Sequence, residues 1–140
     1  MKFSTRSEYG LRAMVVLAGN EGGNPLSLRQ IAEDEQISEQ YLEQIFMELK
    51  KAELVLSVRG AYGGYRLSRA AEDITVRQIL EVLEGPIVPC DCLGQELGFS
   101  SCGNKEEACL IQVVWRRLQT GMNEILDNMN LRDLQSGQYQ

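Results

Sequence analysis

A chain of 140 residues, 44% hydrophobic and 24% charged, has room for one packed domain with an appendage and needs neither metal nor disulfide for its size alone. Its net charge of -6 and sequence pI near 4.7 exclude indiscriminate binding to polyanions, so any nucleic-acid affinity must come from a local basic patch. The start, MKFSTRSEYG, lacks the apolar stretch of a signal peptide, and no run approaches the roughly 18 apolar residues of a membrane span; the expected compartment is the cytoplasm, where four cysteines point to metal binding or redox sensing rather than to a disulfide framework.

Residues 4–19 carry Tyr9, Leu11, Ala13, Met14, Val16 and Leu17 on a wide arc, which predicts a scaffold helix packed on two sides. The run Gly22-Gly23-Asn24-Pro25 ends it. Ser27 and Gln30 have capping-box spacing ahead of Ile31 and Ala32, so a short helix starts there and runs out near Asp34. Ser38 is placed to cap a second helix, and the few residues between the two fit the tight turn of a helix-turn-helix. In this second helix Tyr41, Leu42, Ile45, Phe46 and Leu49 form one apolar stripe. Glu39, Gln40, Glu43, Gln44 and Met47 are left on an outer face available to base edges.

After Leu54 the period changes to two, with Leu54, Leu56 and Val58 on one side and Val55, Ser57 and Arg59 on the other, which predicts a strand. Arg59-Gly60-Ala61-Tyr62-Gly63-Gly64 supplies hairpin turn residues, and Tyr65-Arg66-Leu67 is the return strand. A helix followed by a basic-tipped hairpin reads as a winged helix-turn-helix. Between residues 50 and 70 five cations (Lys50, Lys51, Arg59, Arg66, Arg69) face one anion, Glu53, which is the local patch that phosphate contacts require. The candidate DNA-contacting residues are Ser38, Gln40, Tyr41, Glu43 and Gln44 on the helix, with Arg59, Tyr62 and Gly63 at the wing. An arginine at the tip suits the negative potential of a narrow minor groove, and Gln40 or Gln44 can pair bidentately with adenine. Glu39 and Glu43 would accept from a cytosine amino group or reject wrong sites.

Thr75 and Gln78 repeat the capping-box spacing ahead of an apolar face of Val76, Ile79, Leu80 and Leu83, which Gly85-Pro86 ends. The following PIVPCDCLGQELGFSSCGN has little periodicity and three of the four cysteines, so a ligand rather than a core is expected to organise it. Asn104 and Glu107 then signal a helix over 105–130. Ala108, Ile111, Trp115, Leu118, Met122, Ile125 and Met129 make a heptad seam along it, with Leu110, Val113, Val114 and Leu126 as a second apolar side. A lone helix of ~39 Å would leave that seam wet, which predicts a homodimer joined there. The expected organisation is mainly α: a winged helix-turn-helix with a two-stranded wing over 1–85, a cysteine-rich loop over 86–104, a dimerisation helix over 105–130 and a tail over 131–140.

The segments YLEQIF, LVLSVRGAYGGYRLS, LEGPIVP and CLIQVVWRRLQTGMNEILDNMNLRDL, together with the cysteine cluster, resemble the iron-sulfur cluster regulators of the IscR and NsrR type. These are winged-helix bacterial transcription factors that also include the cysteine-metabolism regulator CymR. The resemblance covers nearly the whole chain. It implies a dimeric repressor of iron-sulfur biogenesis or cysteine-metabolism genes that reads a two-fold related operator on double-stranded DNA. It also implies a cluster, [2Fe-2S] in type, held by Cys92, Cys102 and Cys109. Glu8 occupies a place from which some relatives donate a carboxylate to the cluster of the other subunit, and Gln112 stands where some place a histidine; the fourth ligand is therefore Glu8 or Cys90. The chemistry alone agrees, since thiolates are the usual iron-sulfur ligands and the spacing CxC, x9, C, x6, C is not that of a zinc finger. Four thiolates could still hold structural zinc in a protein-interaction module, and the same fold could sense nitric oxide or redox state. No nucleophile-base pair or phosphate loop suggests an enzyme.

Overall fold

The computed structural model describes residues 2–90 and 105–139, the side chains of 105–109 excepted. Helix α1 (Thr5–Gly19) begins where the Ser4 side chain accepts the Ser7 amide, and α2 (Leu28–Glu35) where Ser27 does the same for Gln30. Gln36 then takes a left-handed conformation (φ 56°), Ile37 drops into the core, and Ser38 caps α3 (Glu39–Lys51). Those three residues are the tight turn expected of the motif. The stripe of α3 is buried as its spacing requires, with Leu42, Ile45, Phe46 and Leu49 all at 0% exposure. Each such side chain stabilises the fold by about 1.5–3 kcal/mol as an upper estimate. They meet Ala13, Met14 and Leu17 of α1 and Ile31 of α2 in one core.

Strands β1 (Val55–Val58) and β2 (Gly64–Leu67) pair antiparallel, Val55 opposite Leu67 and Val58 opposite Gly64. A bridge from Leu26 to Tyr65 ties β2 to the chain just ahead of α2, through bonds of 3.0 and 2.7 Å. The Tyr65 ring packs edge-on against Phe46 with centroids 4.9 Å apart. The strand exists, but its expected facing is corrected: Leu54, Leu56 and Val58 do not share a buried side. Glu53 has a left-handed φ of 61°, so Leu54 is still in the turn leaving α3 and is buried together with Val55, while Leu56 is 45% exposed. The core-facing side of the hairpin is Val55, Tyr65 and Leu67.

A 3-10 turn (Ala71–Asp73) leads to α4 (Val76–Glu84), where both halves of the capping box form: Thr75 accepts the Gln78 amide and the Gln78 side chain accepts the Thr75 amide. Gly85, at φ 82°, ends the helix. Helix α5 (Lys105–Asp127) is followed by α6 (Leu131–Gln135), which Asn130 caps through the Asp133 amide at 2.9 Å. Two expectations need correcting here. Residues 131–140 are not simply a tail, because Leu131 is fully buried in the main core and its amide donates to the Ile74 carbonyl at 3.1 Å. Nor does the heptad seam face outward throughout, since Met122 and Met129, with Leu126, pack on Val76, Leu80 and Ile87 of the same chain. The Arg77 guanidinium braces that junction, bonding Glu81 at 2.9 Å and Asp127 at 2.8 Å. On another face of α5, Leu110, Ile111, Val114, Leu118 and Ile125 are exposed and lie on one stripe.

Candidate nucleic-acid interface

The outer face of α3 carries Gln40, Glu43, Gln44 and Met47, all exposed, above a stripe that is fully buried. The side chains of Gln40, Glu43 and Gln44 make no hydrogen bond among the described residues. Their polar ends are therefore uncommitted and can meet base edges without breaking an internal bond. Ser38 is exposed, and its hydroxyl oxygen accepts the Tyr41 amide at 3.4 Å. Tyr41 is half-buried, its ring edge-on to Tyr9 of α1 at 5.7 Å between centroids, which makes it first a packing residue. Lys50 and Lys51 are exposed at the end of the helix, where cations also suit its dipole.

At the wing, Arg59 is exposed and makes no ion pair among the described residues, and Tyr62 is 88% exposed. Gly63 is a different kind of residue from those two. Its amide donates to the Gly60 carbonyl at 3.0 Å, and a Cβ built there would lie 2.3 Å from the Val58 carbonyl oxygen. Close backbone approach explains the glycine without any contact to DNA. Gly64 is the same, its would-be Cβ 2.3 Å from the Leu26 carbonyl oxygen.

The sequence gives no sign of how α1 reaches this face. Arg12 bonds Glu35 at the end of α2 (3.2 Å), lies 3.9 Å from Glu8 one turn earlier on α1, and stands over the Tyr9 ring at 5.9 Å. One guanidinium thus joins Glu8 to the helix-turn-helix. Such a link depends on tertiary proximity and leaves no spacing signal.

Of the expected cluster ligands, Cys92 and Cys102 lie outside the described residues, and Cys109 falls in α5 where side chains are not described. Cys90 is half-buried, and the Glu8 side chain is 68% exposed. Among the described residues no group of three or more histidine, cysteine, aspartate or glutamate side chains is placed to hold a metal ion. The start of the cysteine-bearing stretch is nonetheless anchored. The Ser4 amide and the Ser7 hydroxyl donate to Glu84 at 2.6 Å each, and the Ser4 hydroxyl donates to the same oxygen. These donors hold the Glu84 carboxyl below the ordinary glutamate value, the Ser4 hydroxyl contributing most, then Ser7 and the Ser4 amide. A depressed value means that the clamp's stabilisation is present above the ordinary glutamate range and is lost as pH falls through the lowered one. The clamp fixes the end of α4, five to six residues ahead of Cys90, against the N-terminal end of α1 that carries Glu8.

No helix among the described residues is long and apolar enough to cross a membrane. The family model for Rrf2, described as an iron-dependent transcriptional regulator, matches residues 3–137. The HTH-type transcriptional regulator CymR of Bacillus subtilis is 41% identical over 136 residues, which cover 97% of this chain and 91% of that protein. IscR of Sodalis glossinidius is 36% identical over 138 residues, covering 99% and 81%. The solved structure of the B. subtilis protein, titled the global cysteine regulator, superposes with a TM-score of 0.81 at 40% identity and covers 97% of both chains. These relatives are transcriptional regulators, not enzymes. A winged helix-turn-helix with an uncommitted polar recognition face, matched by family and by structure over almost its full length, makes this chain a member of the Rrf2 family of DNA-binding transcriptional regulators.

Proposed function

We propose that the chain is a cytoplasmic, homodimeric repressor that reads a two-fold related operator and senses an iron-sulfur cluster, controlling iron-sulfur biogenesis or cysteine-metabolism genes. The observation that carries the DNA half of this reading is the exposed row Gln40, Glu43, Gln44 on a helix whose opposite face is fully buried, together with an exposed Arg59 on the wing. Arg59→Ala is expected to weaken operator binding roughly ten-fold while leaving the melting temperature unchanged, because an exposed side chain without an ion pair contributes little to folding. Unchanged affinity in a gel-shift titration would remove Arg59 from the interface.

Cys92, Cys102 and Cys109 would hold the cluster, with Glu8 of the partner subunit or Cys90 as the fourth ligand. The donor set suits it, since three soft thiolates select iron-sulfur chemistry and Glu8 is exposed with only a 3.9 Å pairing to Arg12. When bound, the cluster supplies a group whose occupancy follows the supply of iron, sulfide and oxidant. Arg12 is the residue through which a shift at Glu8 would reach the turn between α2 and α3. A second reading, in which the thiols respond to redox or cysteine status without a metal, is favoured by the description of the B. subtilis relative as a global cysteine regulator. Nitric oxide sensing and a structural zinc complete the alternatives.

Anaerobic purification separates these readings. The cluster reading expects visible absorption with iron and acid-labile sulfide in equal amounts, lost in each of Cys92→Ala, Cys102→Ala and Cys109→Ala. Loss in Glu8→Ala but not in Cys90→Ala assigns the fourth position to the carboxylate; the reverse assigns it to the thiol. Colourless protein without iron sinks the cluster in favour of thiol chemistry, and equimolar zinc without sulfide sinks both.

A further inference from the structure

We infer that Met47 reads the 5-methyl group of a thymine in the major groove, and so sets sequence preference at a base pair that the polar residues of α3 do not reach. This rests on the DNA-binding reading above and deepens it. Met47 is 55% exposed on a helix whose other large apolar side chains, Leu42, Ile45, Phe46 and Leu49, are completely buried. It lies three residues beyond Gln44 and four beyond Glu43, so it continues their row rather than the core stripe.

From Gln40 to Met47 the helix rises about 10 Å, so the row is long enough to address more than one base pair along a groove. The next turn presents Lys50, which is exposed, and Lys51, whose side chain is 69% exposed. Two ammonium groups there suit phosphates. Met47 is thus bracketed by hydrogen-bonding side chains that suit base edges and by cations that suit the backbone, which places it at the outer edge of the groove. An unbranched thioether offers no hydrogen bond to that edge, and the apolar feature it can meet there is the thymine methyl. Three rotatable bonds give it the reach and adaptability that position needs.

The test uses the full chain and a duplex that the wild-type protein selects from a random pool. Each thymine of that duplex is replaced in turn by uracil, which removes the methyl group and leaves base pairing intact. The wild-type protein is expected to lose roughly 3- to 10-fold in affinity at one position of each half-site. Met47→Ala should bind the parent duplex more weakly by a similar factor and no longer distinguish thymine from uracil there, with an unchanged melting temperature. Met47→Leu, which keeps an apolar side chain, should restore the discrimination. The inference is overturned if Met47→Ala keeps the wild-type thymine-to-uracil ratio, or if the wild-type protein is indifferent to uracil at every position. If the pool yields no bound duplex at all, the DNA-binding reading fails and takes this inference with it, an outcome distinct from the other two.

Discussion

Val114→Lys combined with Leu118→Lys is expected to give a folded monomer whose operator affinity is lower by at least about 100-fold. Both side chains lie on the exposed stripe of α5, at 59% and 46% exposure, together with Leu110, Ile111 and Ile125. A contiguous apolar stripe of this kind on one helix marks a protein contact, and the proposed dimer buries it against its symmetry mate. In a two-fold interface every substitution appears twice, so the pair places four uncompensated ammonium groups in an apolar seam. Each buried, unpaired charge costs about 3–5 kcal/mol, more in sum than a standard interface can absorb. A monomer engages one half-site and loses the gain of joined binding, which sets the expected fall. Met122 is the wrong place for this test, because it packs on Val76, Leu80 and Ile87 of its own chain and its substitution would damage the monomer. Sedimentation decides the matter: a persistent dimer would place the interface elsewhere.

Leu131→Ala is expected to destabilise the fold by about 2–5 kcal/mol and to lower Tm by roughly 10 °C, without altering the outer face of α3. The side chain is at 0% exposure in the same core as Phe46 and Met14. Its segment is also stitched to the start of α4, with the Val76 amide donating to the Met129 carbonyl at 2.8 Å and the Leu131 amide to the Ile74 carbonyl at 3.1 Å. Arg132 adds contacts to Glu21 at 3.2 Å and Glu72 at 3.5 Å, which are surface pairs worth little each. The cavity left by three lost carbons dominates. Thermal melting monitored by far-UV circular dichroism checks it, and a shift below about 2 °C would mean that the C-terminal helix is dispensable to the core.

The elements of the reading domain were legible because each is governed by contacts a few residues apart. Ser27, Ser38 and Thr75 all cap the helices they precede, and of the α3 stripe Leu42, Ile45, Phe46 and Leu49 are buried while Tyr41 is half-buried. Capping and helical periodicity are local, so spacing alone reports them. The facing of β1 was not legible, since it turns on the single left-handed residue Glu53, a position where side-chain pattern says nothing about backbone sign. Gly63 illustrates a related limit: the carbonyl oxygens of Val58 and Gly60, which leave no room there for a side chain, come close only once the wing has folded.

By itself the sequence determined the helix-turn-helix, its cap residues, the polar row from Gln40 to Gln44 and the presence of a hairpin, because propensity, period and turn chemistry act over short distances. Only the tertiary structure decided which apolar residues of α5 turn inward, that Leu131 belongs to the main core, and that Arg12 joins Glu8 to Glu35. A heptad pattern states that a stripe will be buried but not against what, and the choice between α4 and a second copy depends on surfaces far apart in the chain.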